Sequence, residues 1–158
     1  MRSHPDCVSI PFAGELRKIR IISSNISYGP IPEPDYEVEQ RLTITLDGRV
    51  WFSAYVFGEK HETKYRKSRS RVFKIEKATA NRIMQAFTAY FADEKRFNCW
   101  ATDIGLWSME LTNTIGEKYK FFGSLCAEHE ALGENLSTMI REALDMPDLF
   151  VFDAECEE

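Results

Sequence analysis

Two stretches of the chain alternate apolar and polar residues on either side of a glycine. Arg41 to Phe57 turns at Leu46-Asp47-Gly48, and Leu106 to Phe122 turns at Thr114-Ile115-Gly116. Alternation of period two is the pattern of a strand buried on one face, so each stretch predicts a β-hairpin. Register decides the loop. A two-residue loop at Asp47-Gly48 pairs Ile44 with Trp51 and mixes Thr43 and Thr45 with Val50 and Phe52 on one face. A three-residue loop with Gly48 left-handed, a G1 bulge, pairs Ile44 with Val50 instead. Leu42, Ile44, Val50, Phe52, Ala54 and Val56 then share a face. Because a one-residue slip moves every side chain to the other side, this agreement selects the bulged form. By the same rule Leu111 meets Tyr119 and Met109 meets Phe121 around Gly116, and Glu110 faces Lys120 as an opposite-charge pair.

After each hairpin region the period lengthens to that of a helix. From Glu76 to Phe91, Ala80, Ile83, Met84, Phe87, Tyr90 and Phe91 form one stripe. From Leu136 to Leu144 a second stripe contains Met139 and Ile140, with Asn135 or Ser137 as cap and Pro147 as stop. Glu15 to Ile26 reads as a first strand, Tyr65 to Ile75 as a further one, and Leu149 to Phe152 as a short buried strand. Three prolines between Tyr28 and Tyr36 make an extended connector. Strands in runs with two helices placed after them predict an α+β fold. The expected architecture is a mainly antiparallel sheet of two G1-bulge hairpins plus flanking strands, packed by helices at about 76–91 and 136–144. The first helix is expected over the first hairpin and the second over the Trp107 to Phe121 face. With 158 residues, 44% of them hydrophobic, one core and a single domain 1–158 are expected, with a peripheral arm at 1–14 and an acidic tail at 153–158.

No apolar run approaches the length of a membrane helix, and the N-terminus lacks a signal-peptide core. Cys7, Cys99, Cys126 and Cys156 form no close pair. The expected compartment is therefore the cytoplasm, with free thiols.

Charge is unevenly laid out. The chain carries 20 Lys plus Arg against 25 Asp plus Glu, net −5. Yet between Glu59 and Lys77 the cations Lys60, Lys64, Arg66, Lys67, Arg69, Arg71, Lys74 and Lys77 face only Glu59, Glu62 and Glu76. Lys64, Arg66, Lys67, Arg69 and Arg71 are thus candidates for binding a nucleic-acid backbone or another anionic ligand. The competing account is an edge strand protected by its charges and facing the protein's own carboxylates. In the bulged register Trp51, Tyr55 and Phe57 point away from the core face. If uncovered, they form an aromatic patch of the kind that protein partners use.

Catalytic signals are sparse. Cys126 with His129, and His4 with Cys7, have zinc-ligand spacing, but each half is a two-residue coincidence, so neither metal nor cofactor is assigned. No nucleophile elbow, Cys-His signature or glycine-rich phosphate loop is present. Asp93, Glu94 and Asp103 serve as acid or base only if a cleft buries them. An enzyme is the less supported reading.

The segments 28–35, Leu42 to Trp51 and Leu111 to Leu125 resemble small hypothetical proteins of gut anaerobic bacteria. The resemblance implies a bacterial or phage-borne cytoplasmic protein and carries no activity. The leading expectation is a non-enzymatic protein-interaction module, in such a setting an acidic inhibitor of a nucleic-acid-binding machine. The alternatives are nucleic-acid or anionic-ligand binding through the basic strand 60–77, and a metal-dependent enzyme. A protein partner is expected before a nucleic acid, and no membrane.

Overall fold

The computed structural model describes residues 11–24, 37–56, 66–92, 105–125 and 130–152. Six strands form one antiparallel sheet: β1 (Leu16–Ser24), β2 (Glu37–Thr45), β3 (Arg49–Val56), β4 (Arg66–Lys74), β5 (Leu106–Asn113) and β6 (Lys118–Ser124). Two helices, α1 (Lys77–Phe91) and α2 (Leu136–Leu144), complete an α+β fold, and a two-stranded hairpin, β7 (Glu130–Ala131) with β8 (Glu134–Asn135), leads into α2. The sheet order is β4-β3-β2-β1-β5-β6. No described helix is long and apolar enough to cross a membrane.

β1 lies in the middle of the sheet, between the two hairpins. Ile19 stands between Ile44 and Leu111, and Ile21 between Leu42 and Met109. In the hairpins Ile44 is opposite Val50, Leu42 opposite Phe52, Leu111 opposite Tyr119 and Met109 opposite Phe121. Gly48 and Gly116 have φ of 93° and 91°, a region in which a Cβ is resisted. The two glycines differ in surroundings. A Cβ on Gly48 would run into the carbonyl oxygen of Ile75, whose N–H donates to the Gly48 carbonyl at 2.8 Å, whereas Gly116 has open space around it.

The apolar rows fill a single core on one side of the sheet. α1 contributes Ala80, Ile83, Met84, Ala86, Phe87 and Phe91, which spaces apolar side chains over one face of the helix. The helix packs on β1 rather than on the first hairpin alone. It reaches the second hairpin through Phe91, whose ring lies 4.7 Å from that of Phe121. α2 begins where Asn135 Oδ1 accepts the Thr138 N–H at 3.0 Å, and ends at Asp145 in the left-handed region. It packs against α1.

In the segment Leu149 to Phe152, Leu149, Val151 and Phe152 are buried and Phe150 half-buried, but the segment is not a strand. Its backbone is satisfied by side chains instead of a ladder. The Arg141 guanidinium donates to the carbonyls of Leu149 and Phe150 at 2.8 and 3.2 Å, and Gln40 Oε1 accepts the Phe150 N–H at 2.7 Å. Ser23 Oγ donates to the Val151 carbonyl at 2.7 Å. Thus anchored, Phe152 turns into the core and meets Trp107 edge-on at 4.7 Å.

Candidate functional site

The opposite side of the sheet carries neither helix among the described residues. Alternation along β3 makes the contrast plain: Val50, Phe52, Ala54 and Val56 are buried, whereas Arg49 and Trp51 are exposed and Ser53 and Tyr55 half-buried. The paired strands place the open-side residues in rows. One row contains Lys74 beside Arg49 and Lys18 beside both Thr45 and Thr112, with Lys118 beyond Thr112. The next runs Val72, Trp51, Thr43, Arg20, Glu110, Lys120, and the third runs Ser70, Ser53, Arg41, Ile22, Ser108, Phe122. Lys67, opposite Tyr55, and Glu39 stand at the far end of β3 and β2. Glu39 and Glu110 are the carboxylates in these rows, so cations dominate a face of a chain whose net charge is −5.

Some of these cations are already engaged. Arg41 Nε donates to Glu39 at 2.5 Å while its guanidinium covers the Tyr55 ring at 4.5 Å. The hydrogen bond to Glu39 raises the Arg41 pKa against the opposing effect of burial. Arg49 lies 3.2 Å from Asp47. Asp47 in turn accepts from the Thr45 hydroxyl, the main cause that lowers its pKa below the ordinary carboxylate value. Register sets Glu110 opposite Lys120, as anticipated, but the ammonium within ion-pair distance is Lys118, at 3.9 Å. Among the described residues, Lys18, Arg20, Lys67, Lys74 and Lys120 form no ion pair.

The cations expected to act together on β4 are divided between the two sides. Lys67 is on the open side. Arg69 stands opposite Ala54 and Arg71 opposite Phe52, in the rows of the core face. Arg69 donates to both oxygens of Glu37 at 2.9 Å and to Asp148 at 2.5 Å, tying the segment after α2 to the sheet edge. That hydrogen bond to Glu37 is the first cause of a raised Arg69 pKa. Arg71 lies over Phe73, ring centroid at 4.5 Å, and Arg66 is opposite Val56. Lys64 and Phe57 fall outside the described residues, as do His4, Cys7, Cys126, His129, Asp93, Glu94 and Asp103. Among the described residues no three His, Cys, Asp or Glu gather as a metal site.

Trp51 is 38% exposed and Val72 beside it 71% exposed. Trp51 forms the shared wall of two grooves. One, of about 670 Å³, is lined by Arg17, Lys18, Thr45, Asp47, Arg49 and Lys77 among others. The second, of about 330 Å³, contains Arg20, Arg41, Tyr55 and Lys67. Arg20 also borders a third groove of about 360 Å³ with Ser108, Lys120 and Phe122. The cations from β1, β2, β3 and β6 were not singled out from the sequence. Their signal was the polar half of the alternation, Lys18 and Arg20 between Leu16, Ile19 and Ile21, which becomes a site only once β1 is central. No family model matches the chain, and no curated protein and no solved structure matches it either.

Proposed function

We propose that the protein is a non-enzymatic binding module that takes the anionic backbone of a nucleic acid on the open side of its sheet. The observation that carries this reading is the set of cations, Lys18, Arg20, Lys67, Lys74 and Lys120, that form no ion pair among the described residues and lie on a face that neither helix covers. Such a concentration in a chain of net charge −5 creates a local positive potential despite the overall sign, and the remaining negative charge disfavours indiscriminate association. Phosphates that settle on these side chains release condensed counterions, which makes binding steeply salt-dependent. The reading shifts the basic site from β4 alone to a surface whose cations come from three strands, β1, β4 and β6.

Binding of a labelled oligonucleotide followed by anisotropy between roughly 50 and 200 mM salt tests it. The logarithmic salt slope is expected to be clearly negative, and to become shallower by about 2 in the triple variant Lys18→Ala, Arg20→Ala, Lys120→Ala, at roughly 0.7 per phosphate contact. Absence of binding at the lowest salt, or equal slopes for the two proteins, overturns the proposal.

A second reading is favoured by the exposed apolar pair Trp51 and Val72: a protein partner docking on this face. An acidic inhibitor that presents carboxylates in place of phosphates has less support, because the side of the sheet away from the helices bears chiefly cations among the described residues.

A further inference from the structure

The geometry points to a single-stranded nucleic acid as the occupant, with one unstacked base on Trp51 and its flanking phosphates in the two grooves that Trp51 separates. This inference rests on the nucleic-acid reading above and names the strand state and the path. Trp51 and Tyr55 are both aromatic and both on the open side, yet of the two, among the described residues, only Tyr55 has a cation over its ring. The Arg41 guanidinium already lies over Tyr55 at 4.5 Å and is held there by Glu39. Trp51 is flanked across the strands by Thr43 and Val72, neither of which brings a charge over its ring. An indole in that setting offers a π-face to a base, and stacking of this kind tolerates any sequence because every base has one.

The cations are placed to match. Lys18 lines the groove on one side of Trp51 together with Arg49, which is paired with Asp47, and Arg20 with Lys67 line the groove on the other. Neighbouring open-side rows are about 6.7 Å apart along a strand, about the reach of one extended nucleotide. Lys18 and Arg49 stand in the row one such step from that of Trp51, whereas Arg20 lies two strands, about 10 Å, across the sheet in the row of Trp51 itself, so one phosphate fits beside the stacked base and the next fits on the way across the sheet. Arg20 also borders the groove containing Lys120, so the track continues across β1 towards β6. The six strands span about 24 Å, room for a site on the order of four nucleotides, the low end of the range for single-strand binders. A duplex hides the faces of its bases inside its stack and leaves Trp51 without a partner.

The test compares an oligothymidylate, an abasic oligomer of equal length and a duplex, each labelled, at one low salt concentration. The wild-type chain is expected to bind oligothymidylate most tightly. Trp51→Ala is expected to weaken that complex by about 5- to 100-fold, to leave the abasic complex unchanged, and to be largely rescued in Trp51→Phe. Equal affinity for oligothymidylate and abasic oligomer, tighter binding of the duplex, or a Trp51→Ala variant that binds oligothymidylate like the wild type overturns the stacking site. In these cases the backbone-binding proposal survives. If none of the three is bound by any variant, both readings fall together.

Discussion

Residues 49 to 56 form one strand with two careers. Phe52 is 2% exposed beneath the helices, while Trp51, its neighbour in the chain, is 38% exposed on the opposite side. Backbone and pairing are common to both, so the difference lies in what faces each side of the sheet. Towards the helices, shape complementarity governs, and every atom removed leaves a void. Towards solvent, side chains of Lys and Arg keep their charged ends in water and little packing depends on them. The two sides should therefore answer mutation in different measurements.

The largest expected effect comes from truncating the core side. Phe52→Ala should cost about 3–5 kcal/mol in urea unfolding, through lost burial and the cavity left behind. Trp51→Ala, whose indole is 38% exposed, should cost less, about 1–2 kcal/mol. Equal losses would erase the distinction between the sides. Adding atoms sharpens the same contrast. A Cβ on Gly123 would come within 3.0 Å of the Trp107 indole across the β5–β6 pair, so Gly123→Ala should lose about 1–3 kcal/mol. Ser53→Ala, on the open side, should stay within about 0.5 kcal/mol.

Charges divide likewise. Removing the bidentate contact to Glu37 and the bond to Asp148 with Arg69→Ala should lower stability by about 1 kcal/mol, a modest figure because the side chain is 39% exposed. Lys67→Ala, two residues earlier, should leave unfolding unchanged and weaken oligonucleotide binding. The smallest effect is at the turn. Asp47 has a folded pKa below its unfolded one, so its contribution is present above the unfolded carboxylate value and is lost as pH falls through the folded value. Asp47→Asn should remove this acid-side dependence in denaturation curves recorded below about pH 5. Unaltered curves would show that Thr45 and Arg49 hold the turn without it.

Much of the fold was readable because alternation and helical spacing are local. Leu42 to Phe52 and Met109 to Phe121 declare their faces within a few residues, and the α1 stripe needs only its own turns. The site was less legible for two physical reasons. Lys67, Arg69 and Arg71 have the same parity along the chain, which puts them on one face of a regular strand. The irregularity between Ala54 and Tyr55 leaves Ser68 unpaired, its Oγ donating to the Ala54 carbonyl at 3.3 Å, and reverses that parity for Arg69 and Arg71. The second reason is distance in sequence. Lys18, Arg49 and Lys120 become one surface only through the pairing of β1 with both hairpins, and no short window of sequence contains that pairing. The Leu149 to Phe152 segment failed similarly: its apolar residues announced burial, but Arg141, Gln40 and Ser23, far from it or on another element, determine that its backbone is not a ladder.

The central place of β1 also sets the order in which this molecule can be assembled. Ile19 pairs with Ile44 on one side, soon after both leave the ribosome, but its other neighbour is Leu111, which emerges only after β3, β4 and α1. Until then the meander β4-β3-β2-β1 has an unpaired edge along β1, with Ile19 and Ile21 on it. An unpaired edge of this kind is a template for another chain, and late, long-range pairing is slow. A released chain truncated before residue 106, which keeps this edge without β5, should aggregate where the full-length chain stays dispersed.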